Sequence, residues 1–192
     1  MAAASFEARY ADARDEALCR LTPWFKRLGL DRALRSSKRH PPYPWRLSLE
    51  GGLAGYFLED LKLGQSAEQA HVVTEADIVA FAEVSGDFNP VHMDEAFAAT
   101  TQFKGRIAHG MLSAAWLSAL IAGDLPGPGT VYMSQSLRFR RPVRIGDEVV
   151  SRVEVTAIDA EKARVTLATV CSVEGKPVLD GEALVMAPRR GV

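Results

Sequence analysis

The sequence predicts an α+β protein: a curved antiparallel sheet wrapped around a long central helix. Two observations carry this expectation. Ile107 to Gly123 holds no charge, within it Gly110 to Ala122 reads as one apolar helix, and "LPGPG" follows. From there the chain is a succession of strand-like stretches separated by turn residues. A buried helix followed by consecutive antiparallel strands is an α+β plan, and the compact solution wraps the sheet around the helix.

Residues 1–54 differ in character from the rest and are expected to form an added segment, helical and then Pro-rich. Phe6, Tyr10, Ala13, Ala17 and Leu21 recur at nearly helical spacing. Pro23 is placed to open a second helix, with Trp24, Leu28 and Leu34 apolar. From Arg20 to Arg46 there are eight Lys/Arg and one acid, Asp31. Pro41, Pro42 and Pro44 then suit a linker or an extended crossing. Residues 55–192 read as one continuous domain.

Within that domain "AEQAHVV" is expected to be a short strand. Thr74, with Asp77 three residues on, makes a capping box at a helix start. That helix should turn Ile78, Phe81, Ala82 and Ser85 to one side and end at Gly86, a residue suited to a left-handed cap. "DEAFAAT" suggests a further helical turn or two. The central helix, Gly110 to Ala122, is apolar almost all round and is therefore expected to be buried on most sides. Of the strands, "TVYMSQSLRFRRPV" comes first. In "DEVVSRVEVTAI", Val149, Ser151, Val153 and Val155 alternate with Glu148, Val150, Arg152 and Glu154, as in a half-buried strand. "KARVTLATVCSV" repeats the alternation through Val165, Leu167, Thr169 and Cys171. "EGK" is the hairpin turn, and "PVLDGEALVMAP" closes the sheet.

Composition bounds the function. The chain has 192 residues, 47% hydrophobic and 24% charged, with a formal net charge of −1. No global field draws it to nucleic acid or to a membrane. The uncharged run is too short to span a bilayer, so membrane insertion is not expected. Cys19 and Cys171 are far apart and have no metal-ligand spacing, so neither a metal site nor a disulfide framework is expected. A reducing cytoplasm is the expected location. "MAAASFEARYADARDEALCR" lacks the apolar core of a signal peptide.

The chemistry concentrates in "GDFNPVH". Pro90 biases Asn89 toward an extended conformation, so the chain turns here rather than continuing as helix. A turn can bring the Asp87 carboxylate and the His92 imidazole to one point, where they form an acid/base pair around a water. The plainer reading is a common Asp–Asn-Pro turn with a polar His beside it. "RIAHGML" bears on the choice. Gly110 falls in the first turn of the apolar helix, where amide groups lack an intrahelical acceptor and the dipole is positive. A negative oxygen would be stabilised there, although a helix start that simply needs a small residue is the alternative. His109 adjoins that position. Ser118, farther along the helix, is either a hydrogen-bond partner for a carboxylate such as Asp87 or a small packing residue.

"FAEVSGDFNPVHMDEAFAATTQFKGRIAHGMLSA" resembles the signature of the MaoC-like hydratases, above all the R-specific enoyl-CoA hydratases. The resemblance extends over residues 55–188, from "YFLEDLKLGQ" to "VYMSQSLRFRRPVRIGDEVVSRVEVTAI". It implies a hot-dog fold, a homodimer, and syn addition of water to a trans-2-enoyl-CoA to give the (3R)-hydroxyacyl-CoA, in fatty-acid or polyhydroxyalkanoate-related metabolism. It also implies Asp87 and His92 as the catalytic dyad, the Gly110 amide as oxyanion donor, Ser118 as the residue orienting Asp87, and Asn89 as part of the same motif. No metal or other cofactor is implied. Carrier-protein dehydration, thioester hydrolysis on the same fold, and a non-catalytic acyl-CoA-binding module are the alternatives. Lys104, Arg106, Arg138, Arg140 and Arg141 are candidates for meeting the phosphates of CoA, with a charged surface as the plainer role.

Overall fold

The computed structural model describes residues 55–191. The expected N-terminal helices and Pro-rich linker, and His40 and Cys19 with them, lie outside the described residues.

After a short 3-10 turn, Leu58–Asp60, the first strand β1 (Ser66–Val72) stands where "AEQAHVV" placed it. Helix α1 (Glu75–Ser85) begins with the anticipated box: the Asp77 N–H donates to Thr74 Oγ1 at 3.2 Å, and the Thr74 N–H donates to Asp77 Oδ2 at 2.8 Å. It ends at Gly86, whose φ of +76° is left-handed and whose N–H donates to the Ala82 carbonyl at 2.8 Å. The buried face differs from the expected one. Ile78 and Ala82 are buried, Val79 joins them, and Ser85 is exposed. The Ser85 hydroxyl donates to the Phe81 carbonyl at 2.6 Å, satisfied within its own last turn.

Two short helices, α2 (Pro90–Met93) and α3 (Glu95–Thr100), lead to the central helix α4 (Gly110–Gly123). Strands β2 (Val131–Phe139), β3 (Glu148–Asp159), β4 (Arg164–Val173) and β5 (Lys176–Met186) then join β1 in one antiparallel sheet of order β1-β3-β4-β5-β2. Glu174 and Gly175, at φ of +49° and +72°, form the tight β4–β5 turn, the backbone signature that matches strand twist. Register shifts in the β3–β4, β4–β5 and β2–β5 pairs mark irregularities of the kind that bend a sheet.

The alternation read from the sequence decides which strand face is interior. Val149, Ser151, Val153 and Val155 of β3 are buried, as are Val165, Leu167, Thr169 and Cys171 of β4. Against them α4 packs Leu117, Leu120 and Ile121, each exposed by no more than 1%. Full burial of each such side chain stabilises the fold by about 1.5–3 kcal/mol, and Leu120→Ala would cost about 2–5 kcal/mol.

One expectation fails. Among the described residues helix α4 is not buried on most sides: Met111, Ala115, Ser118, Ala119 and Ala122 form an exposed stripe. The sheet covers only one side of the helix, and an uncharged sequence does not say whether the other side meets the same chain.

Candidate active site

The segment leaving α1 is shaped by its own polar side chains. The Asp87 N–H donates to Ser85 Oγ at 3.2 Å, and the Asn89 N–H donates to Asp87 Oδ1 at 3.2 Å. Asn89 then caps α2, accepting from the Val91 N–H at 3.2 Å, with Pro90 at the first helical position. Asn89 therefore builds the loop. The turn reading of this motif is correct as far as it goes, and the turn is what aims the next residues.

His92 sits on α2, 9% exposed. Its Nδ1 is 2.9 Å from the Ile107 carbonyl oxygen. A carbonyl can only accept, so Nδ1 carries the proton, and the neutral ring keeps a lone pair on Nε2. His109 is buried at 2% exposure just before α4, and its Nε2 donates to the Asp87 backbone carbonyl at 2.9 Å. The two histidines are thus opposite tautomers, with ring centroids 4.0 Å apart. Burial holds His109 below the ordinary imidazole range; the Asp87 carbonyl works against that shift, and the neighbouring His92 adds to it. The His109 Nδ1 is buried without a hydrogen-bond partner, which suits a ring that stays neutral.

Asp87, His92 and His109 each bring one ligand-capable atom within 4.8 Å of the others. A divalent cation could be held at such spacing: the ring nitrogens that do not serve a carbonyl, Nε2 of His92 and Nδ1 of His109, are the ones that could ligate it.

His109 is also the residue preceding the first turn of α4 and provides no side-chain cap for it. The Gly110 and Met111 amides therefore lack both an intrahelical acceptor and a His109 side-chain cap, while the Leu112 N–H donates to the His109 carbonyl at 3.1 Å. Gly110, the first residue of the helix, lines with Asp87 and His92 a cavity of about 390 Å³, within the range of small-molecule sites. Its walls include Phe103, Met111, Phe139 and Val178. The acid, the imidazole and the helix start thus line one concavity.

Ser118 is not brought there. It lies on the exposed stripe of α4, and its hydroxyl makes no hydrogen bond among the described residues. The serine of α4 that lines the cavity is Ser113, 2% exposed. Sequence reasoning missed it because only the orientation of α4 separates the two serines.

The basic candidates sort by partner. Arg106 is closed on Glu75 through Nη1 and Nη2, at 3.0 and 2.9 Å, and its Nε donates to the His92 carbonyl at 2.6 Å. Arg140 is paired with Asp180 at 2.6 and 3.2 Å. Arg141 lines the cavity and forms no ion pair with any described residue.

The chain is similar to known proteins over most of the described residues. The family model described as "MaoC like domain" matches residues 60–176. An (R)-specific enoyl-CoA hydratase of Rhodospirillum rubrum is 54% identical over 136 residues, 71% of this chain and 94% of that protein. A 3-hydroxybutyryl-CoA dehydratase of Methylorubrum extorquens is 49% identical over 134 residues, 70% of this chain and 85% of that protein. Among solved structures, an R-hydratase from Pseudomonas aeruginosa in the unliganded form superposes with a TM-score of 0.68 at 52% identity, covering 71% of this chain and 88% of that one.

Proposed function

This chain belongs to the MaoC-like family, and on that premise we propose that it catalyses the reversible, R-specific hydration of trans-2-enoyl-CoA to (3R)-hydroxyacyl-CoA. The observation that carries the reading is the convergence of Asp87, His92 and the Gly110 end of α4 on one cavity.

Hydration of an enoyl thioester requires a water deprotonated beside Cβ, a proton delivered to Cα, and stabilisation of the thioester oxygen as it takes on enolate character. His92 Nε2 has the lone pair to accept a proton from a water that Asp87 also holds. The hydroxyl adds to Cβ. The proton taken from water returns to Cα on the same face, which makes the addition syn. Meanwhile the Gly110 amide, at the positive end of α4, donates to the thioester oxygen. His109 acts one step back: it holds the Asp87 main chain and remains neutral beside His92. Residues 1–54 take no part in this scheme.

Incubating the purified protein with crotonyl-CoA should bleach the absorbance of the conjugated thioester, and chiral analysis should find the (3R) product. Intact crotonyl-CoA, release of free CoA without hydration, or a (3S) product would defeat the reading.

The working form is proposed to be a homodimer. Support comes from the exposed stripe of α4 and from Val131, Tyr132 and Met133 on the edge strand β2, apolar surface that a second copy could cover. Sedimentation that finds a fully active monomer at assay concentration would exclude it. The proposed location is the cytoplasm, supported by the free, buried thiol of Cys171; recovery in a secreted fraction would contradict it.

A further inference from the structure

The glycine at position 110 is crowded by its own chain. A side-chain carbon placed on Gly110 would stand 2.6 Å from Phe139 Cε1 and 2.7 Å from Cδ1. These distances are far inside van der Waals contact, so the Phe139 ring lies directly on the Gly110 backbone. Strand periodicity puts it there. Leu137 and Phe139 share one face of β2; Leu137 packs against the core, and Phe139, the last residue of the strand, overhangs the start of α4. Nevertheless the ring is 55% exposed, and it lines the same cavity as Asp87 and His92. A large aromatic left half bare inside a cavity offers that bare face to whatever fills it.

We propose that Phe139 is a substrate-contacting residue that holds the acyl thioester at the Gly110 amide, and that its ring, rather than the approach of substrate, is what excludes a side chain at position 110. The inference rests on the hydratase reading and adds a residue to it. A thioester oxygen hydrogen-bonded to the Gly110 N–H lies within reach of the ring covering the Gly110 Cα. The flat conjugated thioester is then confined between the Phe139 ring and the side of the cavity that carries Asp87 and His92. Phe139 sets the position of the carbonyl, and Gly110 leaves room for Phe139.

The test is a four-protein cycle: wild type, Gly110→Ala, Phe139→Ala and the double variant, each assayed on crotonyl-CoA and melted thermally. Phe139→Ala should raise KM about tenfold, the size of effect expected when apolar contact is removed from a pocket, with kcat changed much less. Gly110→Ala keeps the amide N–H but drives it and the Phe139 ring apart, so kcat/KM should fall by up to about 100-fold, the effect of an oxyanion donor losing its aim, and the melting temperature should fall. In the Phe139→Ala background the same Gly110→Ala change should cost far less on both measures, because the obstructing ring is gone. Phe139→Leu, which keeps an apolar side chain, serves if the alanine variant does not fold; it should show the KM effect in smaller degree.

Unchanged KM in a folded Phe139 variant would overturn the substrate contact. An equal penalty for Gly110→Ala with and without the ring would overturn the steric claim, and assign the glycine to substrate approach instead. A wild-type protein inert toward crotonyl-CoA would be a different failure, that of the hydratase reading, and the substrate contact would fall with it; the melting temperatures would still decide the steric claim.

Discussion

Arg106 holds His92 by the main chain. Its Nε donates to the His92 carbonyl at 2.6 Å while its two terminal nitrogens grip Glu75 at the start of α1. The guanidinium is well sheltered, with 14% of its side chain exposed against 45% for Glu75. The helix that ends just before the Asp87 turn is thereby tied to the helix that carries His92.

This geometry makes Arg106 a positioning residue. Arg106→Ala should lower kcat on crotonyl-CoA by at least about tenfold, as small misplacements of catalytic groups commonly do, with KM little changed. Arg106→Lys should fall between it and wild type, since an ammonium cannot keep the planar three-bond fork. Glu75→Gln should be the mildest, because it leaves the bond to the His92 carbonyl in place. Kinetics measured well below each variant's melting temperature separate positioning from folding. Full kcat in a folded Arg106→Ala protein would show that His92 needs no such support.

His109 carries a pH prediction. Burial depresses its folded-state pKa below the unfolded value, which is about 6.5. Below that value the unfolded chain binds a proton that the folded chain resists, so stability falls with decreasing pH. The contribution is fully present above the unfolded pKa and is lost as pH falls from there toward the folded one. The wild-type melting temperature should therefore drop more steeply than that of His109→Gln between about pH 7 and pH 5. Parallel curves would mean that His109 titrates equally easily in both states.

What the sequence made legible was local or periodic. Thr74 and Asp77 announce the start of α1 because a capping box is complete within four residues. Val149 to Val155 announce the inner face of β3 because strand period is a property of the segment alone. Asp87 and His92 could be suspected from spacing and Gly110 from its place at a helix start, yet their meeting in one cavity depends on how the helices pack, which no single segment carries. Arg106, one of the basic candidates for CoA, is instead engaged with Glu75 and the His92 carbonyl. Its signal was a charge set directly before the uncharged run, but Glu75, its partner, lies 31 residues away. Phe139 was overlooked although the alternation in "SLRF" already put it on the face of Leu137; what lay beneath its ring could not be read from the strand. The exposed side of α4 was not foreseen because an uncharged sequence does not say which faces of a helix the rest of the domain covers.

Residues 1–54 supply a prediction about domain boundaries. The family match begins at residue 60, and the matched Rhodospirillum rubrum protein is covered over 94% of its length by 71% of this chain. A protein of residues 55–192 should therefore fold alone, and its turnover of crotonyl-CoA should stay close to that of the full chain. The apolar residues Phe6, Tyr10, Trp24, Phe25 and Leu28 favour docking of the segment, so lower solubility of the truncated protein is the expected difference. A truncated protein that folds but has lost hydration would place part of the catalytic apparatus before residue 55.

The dyad is the sharpest test. Asp87→Asn keeps the shape of the side chain and the acceptor for the Asn89 N–H, so the turn should survive while the negative charge is lost. His92→Gln can still reach toward the Ile107 carbonyl but has no nitrogen able to take a proton. Circular dichroism and sedimentation of both variants should match wild type. Hydration of crotonyl-CoA should fall in each by about 100-fold to 10,000-fold, the usual worth of one positioned proton-transfer group. If both residues hold one water, removing the second after the first should cost little more, since residues acting as a unit are not additive. Additive losses would assign them separate steps, one at the water and one at Cα. Near-normal turnover in folded single variants would leave Asp87 as a turn residue and His92 as a buried polar one, and the source of the proton would have to be sought elsewhere in the cavity.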